Sequence, residues 1–330
     1  MLKIQTKSLG AELTSIQRDG KEILFQGAKV LDNNGNIYWG RQAPILFPIV
    51  GQLKNSKTQI EGNTYEMSQH GFARDMEFEE ISKTESKHHY VLKYNEETLK
   101  KYPYKFELHV IYEVNDNTLT VRYQVENIDD KTIYFGLGGH PAFNCDYSNG
   151  EYEIIFLEQE DEIEFLKLKD GLIDTEKAPN ILQDNKIWLK EDTFYNDAVI
   201  MKNIKSNKVI LQNYKINQRI LEFDFTGFPY LALWSKKGAP FVCIEPWQNT
   251  ADRIDSTQIY KEKENLIELL RDKVYECKYS IRLWIKRRYY KLKSVIIIIY
   301  KNLKRKGSNW LFLYNWLYEN KWLLNFMEMK

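Results

Sequence analysis

Cysteine is scarce: Cys145, Cys243 and Cys277 are the three in 330 residues, far apart and with no CxxC spacing. That excludes a disulfide framework and a zinc knuckle, and it suits a reducing compartment. The opening stretch "MLKIQTKSLGAELTSIQRDG" has no apolar run of signal-peptide length, so a cytoplasmic location is expected. Glycine-rich phosphate or dinucleotide fingerprints are missing, as are HxH and HExxH spacings, so no cofactor and no metal is expected. No internal repeat is visible.

What is present is a chain able to bury a large core, with 43% hydrophobic and 14% aromatic residues. "FELHVIYEV" places Phe106, Leu108, Val110, Tyr112 and Val114 on one face, and "TLTVRYQVEN" does the same with Leu119, Val121, Tyr123 and Val125. The "NDN" between them is turn chemistry, which predicts a hairpin. Similar runs recur in "KEILFQG", "YEIIFL", "KVILQNY" and "RILEFDF", and in "YLALW" and "FVCIEPW" joined through "SKKGAP". In the body of the chain only "STQIYKEKENLIELL" offers a short helix or a loop. Many short strands with polar turns predict an all-β protein, a large antiparallel β-sandwich or barrel.

Charge divides the chain. Residues 285–330 carry a net +9 and the preceding 284 residues a net −8, which places a boundary near Trp284. Residues 1–284 then form the β domain and 285–330 a basic, aromatic extension. "SVIIIIY" is too short to span a bilayer. A helix lying on an anionic membrane surface, a docking segment for another subunit and an extension without a selected role are the readings open for this tail.

Several polar residues sit oddly in the apolar framework. His140 in "FGLGGHPAFN" lies between two glycines and a proline, which are expected to set the direction of its ring. His70 in "SQHGFARD" is again followed by glycine. Each histidine is either a ring satisfied at a strand end or a working acid, base or ligand. His88, His89 and His109 read as surface residues. Glu245 ends an apolar strand on the face of Phe241, Cys243 and Trp247, so its charge faces desolvation. A structural ion pair, for example with Arg253, competes there with a tuned catalytic base. Arg41 and Asp197 stand beside apolar runs and are structural or functional.

In order, "APILFPIVGQL", "HGFARD", "GGHPAFN", "NDAVIM", "FVCIEPWQ" and "YECKYSIRL" resemble the aldose 1-epimerase (galactose mutarotase) family over residues 1–284, and its bacterial aldose 1-epimerase-like subgroup above all. The resemblance implies a large antiparallel β-sandwich with a sugar in an open cleft. It also implies Glu245 as general base and His140 as general acid, with His70, Arg41 and Asp197 on the sugar. The partner is then a small-molecule sugar and not nucleic acid; the motifs do not fix its identity or the oligomeric state.

Anomer interconversion needs little else. A base removes the C1 hydroxyl proton, an acid protonates the ring oxygen, and the open aldehyde rotates and recloses with the transfers reversed. Arg41 and His70 would stabilise the changing charge, and Trp247 or Phe72 could stack on the sugar, although aromatics in such a framework more often belong to the core. The chain departs from classical galactose mutarotases at Gln52 and Lys54 in "VGQLKNSK". A hexose 6-phosphate, met by Arg41, Arg74 and Lys54, is therefore the alternative substrate. A non-catalytic sugar sensor would have no use for both Glu245 and His140. A glycoside hydrolase would pair Asp197 with Glu245 but leave two restrained histidines unexplained. A metal site of His70, His140 and Glu245 lacks the usual spacing.

Overall fold

In the computed structural model, which describes residues 2–284, the predicted hairpin is formed by Phe106–Asn115 and Thr118–Asn127, turning at Asp116 with φ of 53°. Phe106, Leu108, Val110 and Tyr112 on one strand and Leu119, Val121, Tyr123 and Val125 on the other are all buried. This hairpin lies within a nine-stranded antiparallel sheet. Its order is Lys186–Leu189, Tyr152–Phe156, Lys208–Asn213, Gln218–Asp224, Val274–Leu283, Thr118–Asn127, Phe106–Asn115, Lys87–Lys93 and Glu79–Lys83.

A second, eight-stranded antiparallel sheet runs Leu172–Lys177, Glu164–Lys169, Val199–Lys202, Tyr230–Trp234, Phe241–Trp247, Gly138–Gly139 and Ile45–Leu46, with Ala142–Asn144 also paired to Phe241–Trp247. One apolar core joins the inward residues of both sheets, among them Tyr112, Val121 and Tyr123 from the first and Leu231, Leu233, Val242 and Ile244 from the second. The architecture is thus a large antiparallel β-sandwich.

Phe241–Trp247 is buried on both faces. Val242 and Ile244 enter the main core, whereas Phe241, Cys243 and Trp247 join two smaller clusters on the other face. Glu245 shares that second face by the period of two.

Three expectations change. The stretch "STQIYKEKENLIELL" forms no α-helix: a 3₁₀ turn at Tyr260–Glu262 leads into strand Ile267–Leu269, which pairs with Ile133–Phe135, and Asn265 between them adopts φ of 57°. "KEILFQG" contributes only Lys21–Glu22 as a strand. His88 is not a surface residue. It alternates inward with Tyr90, and its Nδ1 lies 2.7 Å from Thr6 Oγ1 because strand Leu2–Thr6 passes beside it. His89 and His109 do face outward, half-buried against each other. Among the described residues no helix is long and apolar enough to cross a membrane. The tail from 285 lies outside the described residues.

Candidate active site

On the second face of the eight-stranded sheet, Gly138 pairs with Trp247 and Ala142 with Cys243, a register that puts His140 directly opposite Glu245. On its other side Glu245 faces Ala232, whose small side chain leaves room above the sheet. His140 Nε2 stands 3.2 Å from Glu245 Oε2, and Trp247 Nε1 donates to the same oxygen at 3.2 Å. Glu245 Oε1 and His140 Nδ1 are buried without a hydrogen-bond partner among the described residues.

The glycines before His140 act differently from expectation. Neither Gly138 nor Gly139 has positive φ. They are needed for close approach: a Cβ on Gly138 would lie 2.9 Å from the Trp247 ring and one on Gly139 2.8 Å from Tyr279. The ring of His140 is set instead by two tryptophans distant from it in sequence. Trp39 stacks on it at 5.0 Å between centroids and Trp234 meets it edge-on at 5.7 Å. Trp234 was findable, since alternation along "YLALW" puts it on the face of Ala232. Trp39 comes from an irregular segment with no period to read.

His70 has φ of 67°, and its backbone N–H donates to Gly51 O at 2.8 Å. In return the Gly51 N–H donates to His70 Nδ1 at 3.1 Å. With Nδ1 an acceptor, the ring proton of the neutral form is on Nε2. Burial, and then His140, Arg74 and Arg41, hold the imidazole well below its usual range.

Arg41 and Arg74 share one carboxylate. Arg41 reaches Asp75 at 2.7 Å, and Arg74 Nε lies 3.8 Å from it, too far for a hydrogen bond. Burial and the Arg41 charge push the Arg74 guanidinium down to about 10. Asp197, with φ of 77°, is exposed and accepts from the Ala198 N–H at 2.8 Å.

A cleft of about 430 Å³ collects Glu245, His140, His70, Arg41, Arg74 and Asp197, together with Trp39, Trp234, Trp247 and Lys236. All six expected site residues therefore line one cavity. Phe72 is a core residue packed against Phe47, Tyr102 and Phe106, the place expected for most such aromatics. One expectation fails: Lys54 directs its ammonium to Ser256 O at 3.4 Å and does not line the cleft. Arg253 pairs with Asp255, so it is not the partner of Glu245.

Burial moves the central pair in opposite directions. It lifts the Glu245 carboxyl well above the ordinary range, against the Trp247 hydrogen bond and helped by Asp197. It lowers the His140 imidazole to about 3, with Arg74 adding to the effect. Each is thereby pressed toward its uncharged form. Ligand atoms of His140, Cys243 and Glu245 fall within 4.8 Å of one another, but burial raises the Cys243 thiol too, which opposes the thiolate a metal needs.

The chain is thus an antiparallel β-sandwich with a buried carboxyl–imidazole pair in a cleft that Arg41 and Arg74 also line. Residues 1–281 match the family described as Aldose 1-epimerase. Protein LacX of Lactococcus lactis subsp. lactis, in its chromosomal form, is 34% identical over 284 residues, covering 82% of this chain and 92% of that protein. The crystal structure of a galactose mutarotase related enzyme from Lactobacillus acidophilus is 33% identical, with a TM-score of 0.78 over 87% of this chain and 96% of the other. A galactose mutarotase-like protein from Lactobacillus casei is 29% identical, with a TM-score of 0.77 over 86% and 97%. The chain belongs to the aldose 1-epimerase family.

Proposed function

We propose that this chain is a cofactor-independent mutarotase that interconverts the α and β anomers of a free aldohexose. The observation that carries the reading is the 3.2 Å contact between His140 Nε2 and Glu245 Oε2 at the base of the cleft. Between them the pair holds one proton, because burial disfavours both the carboxylate and the imidazolium. Passing that proton from Glu245 to His140 creates the base and the acid together. Glu245 then takes the proton of the C1 hydroxyl as His140 delivers one to the ring oxygen, and the C1–O5 bond opens. Rotation about C1–C2 and the reverse transfers on the other aldehyde face close the second anomer. Glu245 Oε1, buried and without a hydrogen-bond partner among the described residues, is an acceptor suited to the C1 hydroxyl.

The remaining cleft groups serve binding. His70 presents an Nε2–H donor, Arg41 and Arg74 supply positive charge, and Asp197 accepts from hydroxyls. The cavity volume is within the range of about 300–1,000 Å³ usual for small-molecule sites. Polarimetry on freshly dissolved α-D-glucose and α-D-galactose, with a chelator present, tests the reading. The protein should hasten the approach to anomeric equilibrium for at least one aldohexose.

A second substrate reading keeps the chemistry and changes the sugar. Arg74 Nε is buried without a hydrogen-bond partner among the described residues, and Arg41 and Lys236 line the same cleft, a grouping suited to a hexose 6-phosphate. The same assay on 6-phosphates separates the two. If only phosphates respond, this second reading replaces the first.

A further inference from the structure

We propose that His109, Glu107 and Glu126 form a binding site for one divalent transition-metal ion of the zinc type, with His89 orienting the histidine ligand. The site lies on the outer face of the nine-stranded sheet, away from the core on which Leu108 and Val110 pack. His109 Nε2 is 3.6 Å from Glu107 Oε2 and 3.6 Å from Glu126 Oε1. Those separations are too long for hydrogen bonds. They do match an ion: ligand atoms about 2.0–2.2 Å from a tetrahedral zinc stand about 3.3–3.6 Å from one another. The three ligand atoms all lie within 4.8 Å of one another.

Two independent features point to a cation there. Glu107 and Glu126 are direct cross-strand partners, a pairing of like charges that costs stability. Lys93, which faces Glu107 from the other side, sends its ammonium to Glu79 instead. The second feature is His109 Nε2 itself, a buried atom with no hydrogen-bond partner among the described residues. His89 Nε2 lies 3.0 Å from His109 Nδ1, so one of the two rings donates to the other. With the proton on His109 Nδ1, its Nε2 lone pair points at two carboxylates, an arrangement that a divalent ion would relieve. A donor on the far nitrogen of a ligating imidazole is the usual support for such a site. Gln124 Nε2 orients Glu126 from 2.7 Å.

The test uses the full chain freed of metal by chelation and dialysis. Zn²⁺ is titrated by calorimetry and Co²⁺ by its visible absorption. One equivalent should bind and raise the melting temperature, and Co²⁺ should give the intense band of a four-coordinate site. His109→Ala, and separately the double change Glu107→Gln with Glu126→Gln, should weaken binding at least about tenfold, and His89→Ala about tenfold or more. Cys243→Ser should leave it unchanged. Absence of saturable binding, or binding that survives both the His109 and the double variant, overturns the proposal. Loss of binding in Cys243→Ser would place the ion in the cleft and overturn it as well. Melting curves of the metal-free variants show that each is folded, and the glutamine pair keeps a result available should His109→Ala not fold.

Discussion

His140 and Glu245 face one another across neighbouring strands, with 3.2 Å between Nε2 and Oε2, and both are buried. The contact is close enough for a proton to move directly. It is also shielded from water, so neither group can relax to the charge it carries in solution. Trp247 holds one carboxylate oxygen, Trp39 and Trp234 hold the imidazole, and the other carboxylate oxygen has no hydrogen-bond partner among the described residues.

Removing one member of the pair should stop the chemistry while sparing binding. Glu245→Gln keeps the shape but cannot take a proton, and His140→Asn keeps a polar group without an acid. Each should lower kcat by about two to four orders of magnitude, the usual contribution of a positioned acid or base. Melting curves recorded beside the kinetics separate a dead site from a lost fold. A folded Glu245→Gln protein with wild-type turnover would remove Glu245 as the base.

The rate should depend on pH in an unusual way. Activity needs one proton on the pair, and the state with two protons forms only when His140 is protonated, at about 3. No decline is therefore expected between about pH 6.5 and 5, where an ordinary histidine titrates. Activity should fall on the alkaline side, as the raised Glu245 carboxyl finally loses the proton. An acid limb centred near the ordinary histidine value in kcat would contradict this account.

Stability should carry the same signature. Above the ordinary glutamate value of about 4.5 the unfolded carboxyl ionises while the native one keeps its proton, so the contribution of Glu245 to stability falls with rising pH until it ionises in place. His140, present in wild type and in Glu245→Gln alike, contributes in the opposite sense between about 3 and 6.5. Glu245→Gln has nothing to titrate. Its melting temperature relative to wild type should thus rise as pH increases above about 4.5. A difference that is flat over that range would mean that the folded carboxyl is not raised.

Much of this was legible in sequence. The period of two along "FVCIEPW" separated Glu245 from the core-facing Val242 and Ile244, and the ordered motifs named the six residues that meet in the cleft. Other features depend on contacts distant in sequence. His88 is buried because Leu2–Thr6 lies over it, and Phe72 is drawn into the core by Phe47 and Tyr102. Nothing near position 140 announces that Trp39, a hundred residues earlier, caps its ring. The glycines of "GGHP" suggest backbone freedom, whereas the Trp247 and Tyr279 rings require their lack of a side chain.

Binding groups should separate from catalytic ones in kinetics. Arg41 and Asp197 line the cleft without touching the proton-sharing pair, and they are proposed to hold substrate in the ground state as well as in the transition state. Arg41→Ala and Asp197→Ala should therefore raise KM along with any loss in kcat. If either lowers kcat alone, its contribution is confined to the transition state.

The boundary proposed at Trp284 makes the last prediction. Strand Val274–Leu283 is internal to the nine-stranded sheet, paired on one side with Thr118–Asn127 and on the other with Gln218–Asp224. Its end is fastened: Arg18 and Asn117 both donate to Leu283 O, at 3.0 and 2.9 Å, and the Trp284 ring lies beneath the Arg219 and Arg282 guanidinium groups. A chain ended at Trp284 keeps every one of these contacts and sheds the +9 tail. It should unfold cooperatively and turn over at the full-length rate. A chain ended at Lys273 loses a central strand, leaving two neighbours with unpaired backbone groups, and should not fold. Loss of cooperative unfolding in the Trp284-ended chain would show that the tail is needed by the β-sandwich.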